Sequence, residues 1–457
     1  MQRINRMLQK NSVLTVQVES MDGMMNGVAH ADGQAVFIPG AIDGESVKIQ
    51  IVKTDKKFAF GRIVEVLTPS SARVAPPCPY DRQCGGCSAL HMTYEKSLEA
   101  KRAAVEQVLR RVGGISVPVP PVLPMEKPTH YRNKTAMPVS GTPPCAGFYA
   151  PRSHRLVPVK SCLVAMRPAD DIAQTVLLWM AQYQIPAYDE ATGEGLVRHI
   201  LSRVSRKGES MAVLVTAKPN LPHEKALVSM MTTRIKGLVS LCQSVNENGD
   251  NVILGRGYRV LFGAPRLMDT LCGFTFALSP LSFFQVNPTQ TEKLYALALA
   301  FAAPEKDDLV FDLYCGAGTI SLMLSRAAKK VVGVEIVPQA VLDAKENARQ
   351  NKVTNAEFYA AAAETLLPEL IEQGQKPDII VLDPPRKGAE RPVLDAILRA
   401  APRRVVYVSC DPATLARDLK LLCAGGYRCE KVQPVDMFCW TQHVETVALL
   451  SMGEIST

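Results

Sequence analysis

The 457 residues contain no apolar stretch near the roughly 18 residues that a membrane-crossing helix needs, no internal repeat and no tract of biased composition. Met1 to Thr15 lacks the apolar core of a secretory signal, so a soluble, cytoplasmic protein without a membrane partner is expected. With 47% hydrophobic and 21% charged residues, the chain sits near the globular average, which excludes disordered, collagen-like and coiled-coil classes. Domains of roughly 100–200 residues leave room for several, each with an ample core, and no staple is needed for size. The twelve cysteines therefore read as metal ligands, nucleophiles or core residues rather than disulfide partners.

Acidic residues are scarce in one segment. The net charge is +8, yet Ser71 to Arg167 holds 14 Lys and Arg against 5 Asp and Glu, more than the whole excess. Such concentration points to a polyanion partner, most simply nucleic acid, with Lys101, Arg102, Arg110 and Arg111 of a predicted helix as candidate contacts.

Three regions follow from patterning. Period-two stretches at Val13–Val18, Ala35–Ile38, Ser46–Val52 and Phe58–Leu67, split by Asp-Gly and Pro-Gly turns, predict four or five short strands. A sheet that short avoids exposed edges by closing into a small barrel. Beyond the Pro69, Pro76 and Pro77 linker, a helix over Tyr94–Val112 ended by Gly113-Gly114, strands at Val197–Val204 and Ser210–Thr216, and a helix over Leu221–Ile235 predict an α+β middle region. From Asp308 onward Val-rich strands alternate with helices, as in a doubly wound α/β sheet covered on both faces. The expected domains are 1–70, 71–280 and 281–457.

In the last region a buried strand runs into Leu313-Tyr314-Cys315-Gly316-Ala317-Gly318-Thr319. Gly316 and Gly318 let the backbone approach a ligand, and the helix start offers free amides. Glu335, 19 residues after Gly316 at the end of the next strand, is placed to accept from both hydroxyls of a ribose. Only G-x-G is present, so pyrophosphate is disfavoured and S-adenosylmethionine (SAM), with a ribose and no phosphate, fits better. Asp383 in Leu382-Asp383-Pro384-Pro385-Arg386 ends another strand beside the same crevice.

Cys410, in Val408-Ser409-Cys410-Asp411-Pro412, also ends a strand, just before a helix whose amides are expected to lower the thiol pKa. Methylation at C5 of a pyrimidine needs such a thiol, because that carbon is a weak nucleophile until C6 is attacked. A base must then remove the C5 proton, and Glu445 in His443-Val444-Glu445-Thr446 is the candidate.

Cys78, Cys84 and Cys87 form C-P-Y-D-R-Q-C-G-G-C, three corners of a metal site with Cys162 or Cys145 as the fourth. Zinc usually takes two separated short pairs; three near plus one remote suits a [4Fe-4S] cluster.

These segments, with Tyr131-Arg132-Asn133-Lys134 and Ser282-Phe283-Phe284-Gln285-Val286-Asn287, resemble in order the motifs of the RNA (uracil-5-)-methyltransferase family over nearly the whole chain. The barrel resembles a TRAM domain, an OB-like RNA-binding module. The resemblance implies an N-terminal TRAM barrel, an iron–sulfur middle domain and a Rossmann-like, SAM-dependent methyltransferase domain. It implies Cys410 as nucleophile, Glu445 as base, and Gln285, Tyr314, Glu335 and Asp383 at the cofactor. It also implies Cys78, Cys84, Cys87 and Cys162 as cluster ligands, which displaces Cys145. Where the family often has Gly-Asp-Ala-Glu, this chain reads Ala361-Ala362-Ala363-Glu364, so the resemblance does not carry over the family's side-chain contact to adenine there. A TRAM barrel plus cluster resembles the ribosomal RNA enzymes, 23S rRNA above all, more than the compact tRNA ones, and no obligate protein partner is implied. Two competing functions stand beside this one. A non-catalytic iron–sulfur RNA-binding protein on a retired scaffold would not need both Cys410 and Glu445, and an amino-methyltransferase would prefer Asn-Pro-Pro-aromatic at 383–386 and no thiol.

Overall fold

A computed structural model describes residues 8–248 and 252–453; Met1 to Met7, part of the stretch read above for a secretory signal, lie outside them. The first strands are β1 (Val13–Gln17), β2 (Ser20–Met21), β3 (Asn26–Ala31), β4 (Gln34–Pro39), β5 (Ser46–Thr54) and β6 (Phe58–Thr68), in the order β1-β5-β6-β4-β3-β2. The two outer strands are consecutive pieces of one chain segment. Val18 N–H donates to Glu45 O and Glu19 N–H to Val28 O, 2.8 Å each, so residues 18 and 19 close the sheet into the expected barrel. Its interior is aliphatic, with Val36, Ile38, Val47, Ile49, Ile51 and Ala59 fully buried. Gly61 lets the wall pack closely there, since a Cβ would lie 2.8 Å from Ile49 Cδ1 and force that side chain to shift.

Helix α1 (Tyr94–Val108) continues into a π-helical turn at Leu109–Gly113 and is capped by Gly114 in the left-handed conformation. The middle sheet comprises β7 (Lys134–Ser140), β8 (Cys145–Tyr149), β9 (Leu156–Pro158), β10 (Val197–Val204), β11 (Ser210–Thr216), β12 (Leu238–Val245) and β13 (Arg259–Gly263). Their order is β13-β12-β11-β10-β7-β8-β9. Helices α2 (Pro168–Gln182) and α3 (Glu224–Arg234) cover it, burying Ile172, Trp179 and Met231 against Ile200, Leu214 and Leu241. Helix α1 packs elsewhere: Val105 and Leu109 join Leu415, Ala416 and Leu419 of the last region.

A hairpin of β14 (Leu267–Leu271) and β15 (Phe274–Leu278) leads into α4 (Pro288–Ala302), β16 (Leu309–Leu313), α5 (Thr319–Leu324), β17 (Lys330–Glu335), α6 (Pro338–Gln350) and β18 (Ala356–Ala360). The chain continues through α7 (Ala363–Glu372), β19 (Ile379–Leu382), α8 (Arg391–Ala400), β20 (Arg404–Ser409), α9 (Pro412–Ala424), β21 (Tyr427–Val435) and β22 (Glu445–Met452). The sheet order is β18-β17-β16-β19-β20-β22-β21, with β18 to β20 parallel and β22 antiparallel to both of its neighbours. Strand order reverses between β16 and β19, and a ligand crevice opens outside the strand ends at such a reversal. Among the described residues no helix is long and apolar enough to cross a membrane.

Candidate functional site

A cavity of about 800 Å³ opens at that reversal, and Gln285, Tyr314, Glu335, Asp383, Cys410 and Glu445 all line it. Five of them sit at or just beyond the ends of β16, β17, β19, β20 and at the start of β22, which explains how residues up to 131 positions apart converge.

The glycine turn forms one wall. Gly316, at φ +54°, has nothing within 4 Å of where a Cβ would stand, and its N–H donates to Glu335 Oε2 at 3.1 Å. Val337 N–H holds the other carboxylate oxygen at 2.8 Å, so Glu335 is aimed along the rim. Gly318 does not line the cavity. Its φ is +80°, and a Cβ would press on Phe358 and Ala344 at 3.0 and 3.1 Å, so packing at the helix start also favours glycine here. Tyr314 occupies the left-handed region at φ +64°, backbone strain of the kind that clusters at functional sites. Its hydroxyl donates to Glu364 Oε1 at 3.4 Å.

Exposed apolar side chains add to the lining. Phe283, Ile336 and Val337 are 69%, 64% and 50% exposed and all line this cavity. Apolar surface left open around a carboxylate suits a nucleoside with an aromatic base. Periodicity gave no signal for these three, because each lies in a loop.

Around the thiol the expectation from the helix start is overturned. Asp411 caps α9, and its Oδ1 accepts from Ala413 N–H at 2.8 Å and Thr414 N–H at 3.1 Å. Those amides are therefore not available to Cys410. Burial, then the carboxylates of Glu445 and Asp383, push the thiol up to about 11, with the Arg386 guanidinium opposing them. Burial also raises Glu445 and Asp383, and the Asp383 charge raises Glu445 further. Two buried carboxyl groups at such range do not both ionise freely. Arg386 and Tyr295, which is hydrogen-bonded to Gln285 and faces Asp383, complete this corner.

Cys78, Cys84, Cys87 and Cys162 line a second cavity of about 510 Å³. Cys145 does not; its thiol donates to Ser140 O at 3.3 Å. Gly85 lets the loop press on β8, donating to Tyr149 O at 2.9 Å where a Cβ would meet the same oxygen. Burial and then its neighbours Cys162, Cys84 and Cys78 push the Cys87 thiol up to about 12. Among the described residues no group of three His, Cys, Asp or Glu side chains is arranged to hold a metal ion.

The two cavities meet at Arg386, Phe438 and His443. Phe438 and His443 belong to a strap, residues 436–444, that leads into Glu445. The cysteine segment grips this strap: Ser88 and Ala89 N–H donate to Trp440 O at 2.9 and 3.1 Å, and Tyr131 Oη donates to Cys439 O at 3.1 Å. Lys101, read from charge as an RNA contact, is fully buried and ion-paired with equally buried Asp436. Arg102 is likewise engaged, donating from Nε to Val119 O at 2.7 Å. The expectation of an RNA contact therefore fails at Lys101, whereas Arg102, Arg110 and Arg111 are exposed.

Known proteins agree with this architecture. A family model described as tRNA (uracil-5-)-methyltransferase matches residues 272–452, and a TRAM domain model matches residues 8–64. The chain is 46% identical to an uncharacterized RNA methyltransferase of Clostridium tetani, over 97% of each chain. It is 44% identical to one of Halalkalibacterium halodurans, over 97% of this chain and 98% of the relative. Among solved structures it is similar to the Pyrococcus abyssi tRNA (uracil-54, C5)-methyltransferase in complex with S-adenosyl-L-homocysteine. That match has 25% identity, covers 95% of this chain and 99% of the other, and has a TM-score of 0.78.

Proposed function

Since this chain belongs to the RNA (uracil-5-)-methyltransferase family and is a SAM-dependent RNA methyltransferase, we propose that it methylates uridine at C5, in 23S ribosomal RNA, through a covalent bond from Cys410 to C6. The observation that carries this reading is the meeting of a thiol, a buried carboxyl pair and a ribose-binding carboxylate in one cavity. Glu335 would hold the cofactor ribose, Ile336 and Val337 would flank its adenine, and Gln285, Tyr314 and Asp383 would line its reactive end. Bound there, SAM supplies an electrophilic methyl group. Cys410 Sγ adds to C6, and the C5–C6 electron pair shifts onto the C4 carbonyl, which makes C5 nucleophilic. After methylation Glu445 takes the C5 proton; the freed pair restores C5=C6 and the C6–S bond breaks. A uridine stacked in RNA must first be extruded to expose C6.

A second reading, tRNA as substrate, is favoured by the 95% coverage of this chain by a tRNA enzyme. Incubation with methyl-labelled SAM and separate rRNA and tRNA transcripts tests both. Label is expected in 5-methyluridine of the rRNA; label confined to tRNA would select the second reading, and label on an exocyclic or ring nitrogen would overturn both.

The four clustered thiols support a [4Fe-4S] site with a structural role. Three thiols from segment 78–87 and a remote fourth, Cys162, around one cavity follow the pattern of a four-iron cluster, whereas zinc usually takes two separated short pairs. When bound, the cluster would cross-link segment 78–87 to Cys162. Protein purified without oxygen is expected to be brown and to contain iron and acid-labile sulfide; stoichiometric zinc without sulfide would refute the assignment.

A further inference from the structure

Three aromatic rings stand on the outside of the N-terminal barrel. In β4 the core residues Val36 and Ile38 alternate with Phe37, and in β6 the core residue Ala59 separates Phe58 from Phe60. Strands β4 and β6 pair in parallel with Phe37 opposite Phe60 and Ala35 opposite Phe58, which gathers the rings on one patch. Centroids are 5.6 Å apart for Phe37 and Phe60, 5.8 Å for Phe58 and Phe60, and 6.2 Å for Phe37 and Phe58. None contributes to the aliphatic interior, and each keeps part of its surface in water.

The barrel docks on the rest of the molecule through other residues. Met21, Met25 and Ile42 pack with Ala89, Met92 and Ala100, a docking patch that includes none of the three rings. Beside the rings lie exposed Lys53, Lys56 and Lys57 of the β5–β6 hairpin, Lys53 in register with Phe60. Residues 8–68 as a whole hold six Lys and Arg against seven Asp and Glu. Long-range attraction therefore gives this barrel no hold on RNA, and any affinity must come from short-range contacts and this one lysine cluster. Aromatic platforms of this kind stack bases without regard to sequence, and the sheet face of an OB-like barrel is where they are presented.

We propose that Phe37, Phe58 and Phe60 form a stacking platform for an unpaired stretch of the RNA substrate, away from the methylated uridine, with the hairpin lysines on its phosphates. The proposal rests on the RNA reading above and adds where single-stranded RNA is held. The test is binding of a single-stranded oligoribonucleotide to the full chain across a salt series, with each Phe and then all three changed to Leu. Leucine keeps apolar contact and removes the stacking face. The triple variant is expected to bind on the order of tenfold or more weakly with an unchanged salt slope. Lys53→Gln, Lys56→Gln and Lys57→Gln together should flatten that slope instead. Wild-type affinity in the triple leucine variant would overturn the platform, whereas a wild-type chain that binds no RNA would overturn the functional reading itself. If the triple variant melts early, photocrosslinking of 5-iodouridine RNA to the wild type decides: adducts on these rings support the proposal, and adducts only elsewhere refute it.

Discussion

Cys410→Ala is expected to bind RNA and SAM yet to make no product and no covalent complex, with a loss of roughly 10⁴-fold or more, since removing a nucleophile removes the path it opens. Glu445→Gln should behave differently. Attack and methyl transfer precede proton removal, so this variant should accumulate RNA that is both methylated and attached to protein, and turn over about 10²–10⁴-fold more slowly. RNA carrying 5-fluorouridine should trap the wild type at the same stage, because fluorine cannot leave as a proton does. Denaturing gels with labelled cofactor would show the shifted band; its appearance with Cys410→Ala would assign the nucleophile elsewhere. The environment of the thiol adds a pH signature. With Cys410 pushed up to about 11 by burial and two carboxylates, the thiolate fraction grows as pH rises above neutrality, so alkylation of the Cys410 peptide should accelerate with pH. Arg386→Gln removes the cation that opposes the shift and should slow it.

The Val-rich strands and glycine turns of the last region were legible because a parallel sheet buried on both faces needs such runs. The barrel was legible in outline only. Strand β3, Asn-Gly-Val-Ala-His-Ala, holds a single β-branched residue and gives little strand signal, yet its pairing with β4 is what the closing residues 18 and 19 build on. Helix α4 starts at Asn287-Pro288, where the Asn287 side chain accepts from Gln290 N–H, a start signal passed over inside a family motif. At the site, motif spacing reached the groups at strand ends. It did not reach Ile336 or Phe438, which lie in loops, and it carried Phe283, His443 and Arg386 only as members of motifs, since folding alone sets the Arg386 guanidinium beside Cys410 and His443. The helix-amide argument for Cys410 failed for a local reason, since Asp411, the next residue, already occupies those amides.

Lys101 shows how charge counting misleads when burial is unknown, and it carries the largest expected stability effect. Its ammonium is completely buried, paired with Asp436 and also donating to Phe438 O at 3.0 Å. Tyr94 Oη donates to the other Asp436 oxygen at 2.6 Å, and Gln290 donates to the Asp436 carbonyl at 3.1 Å. Methionine in place of Lys101 keeps the volume but leaves the Asp436 charge buried without its cation, a change that costs about 3–5 kcal/mol. Replacing both partners, Lys101→Met with Asp436→Leu, should recover most of that loss, because an apolar pair of similar size is often no worse than a buried ion pair. Denaturant melts of the single and double variants measure both expectations. The salt dependence of RNA binding separates this structural role from a phosphate contact: Lys101→Met should leave the slope unchanged, whereas a phosphate contact would reduce it by about one. Because the strap that Asp436 begins presents Phe438 and His443 to both cavities and ends at Glu445, the residual activity of folded Lys101→Met should fall in kcat more than in KM. Unchanged stability together with a reduced salt slope would return Lys101 to the RNA-facing surface that its charge first suggested.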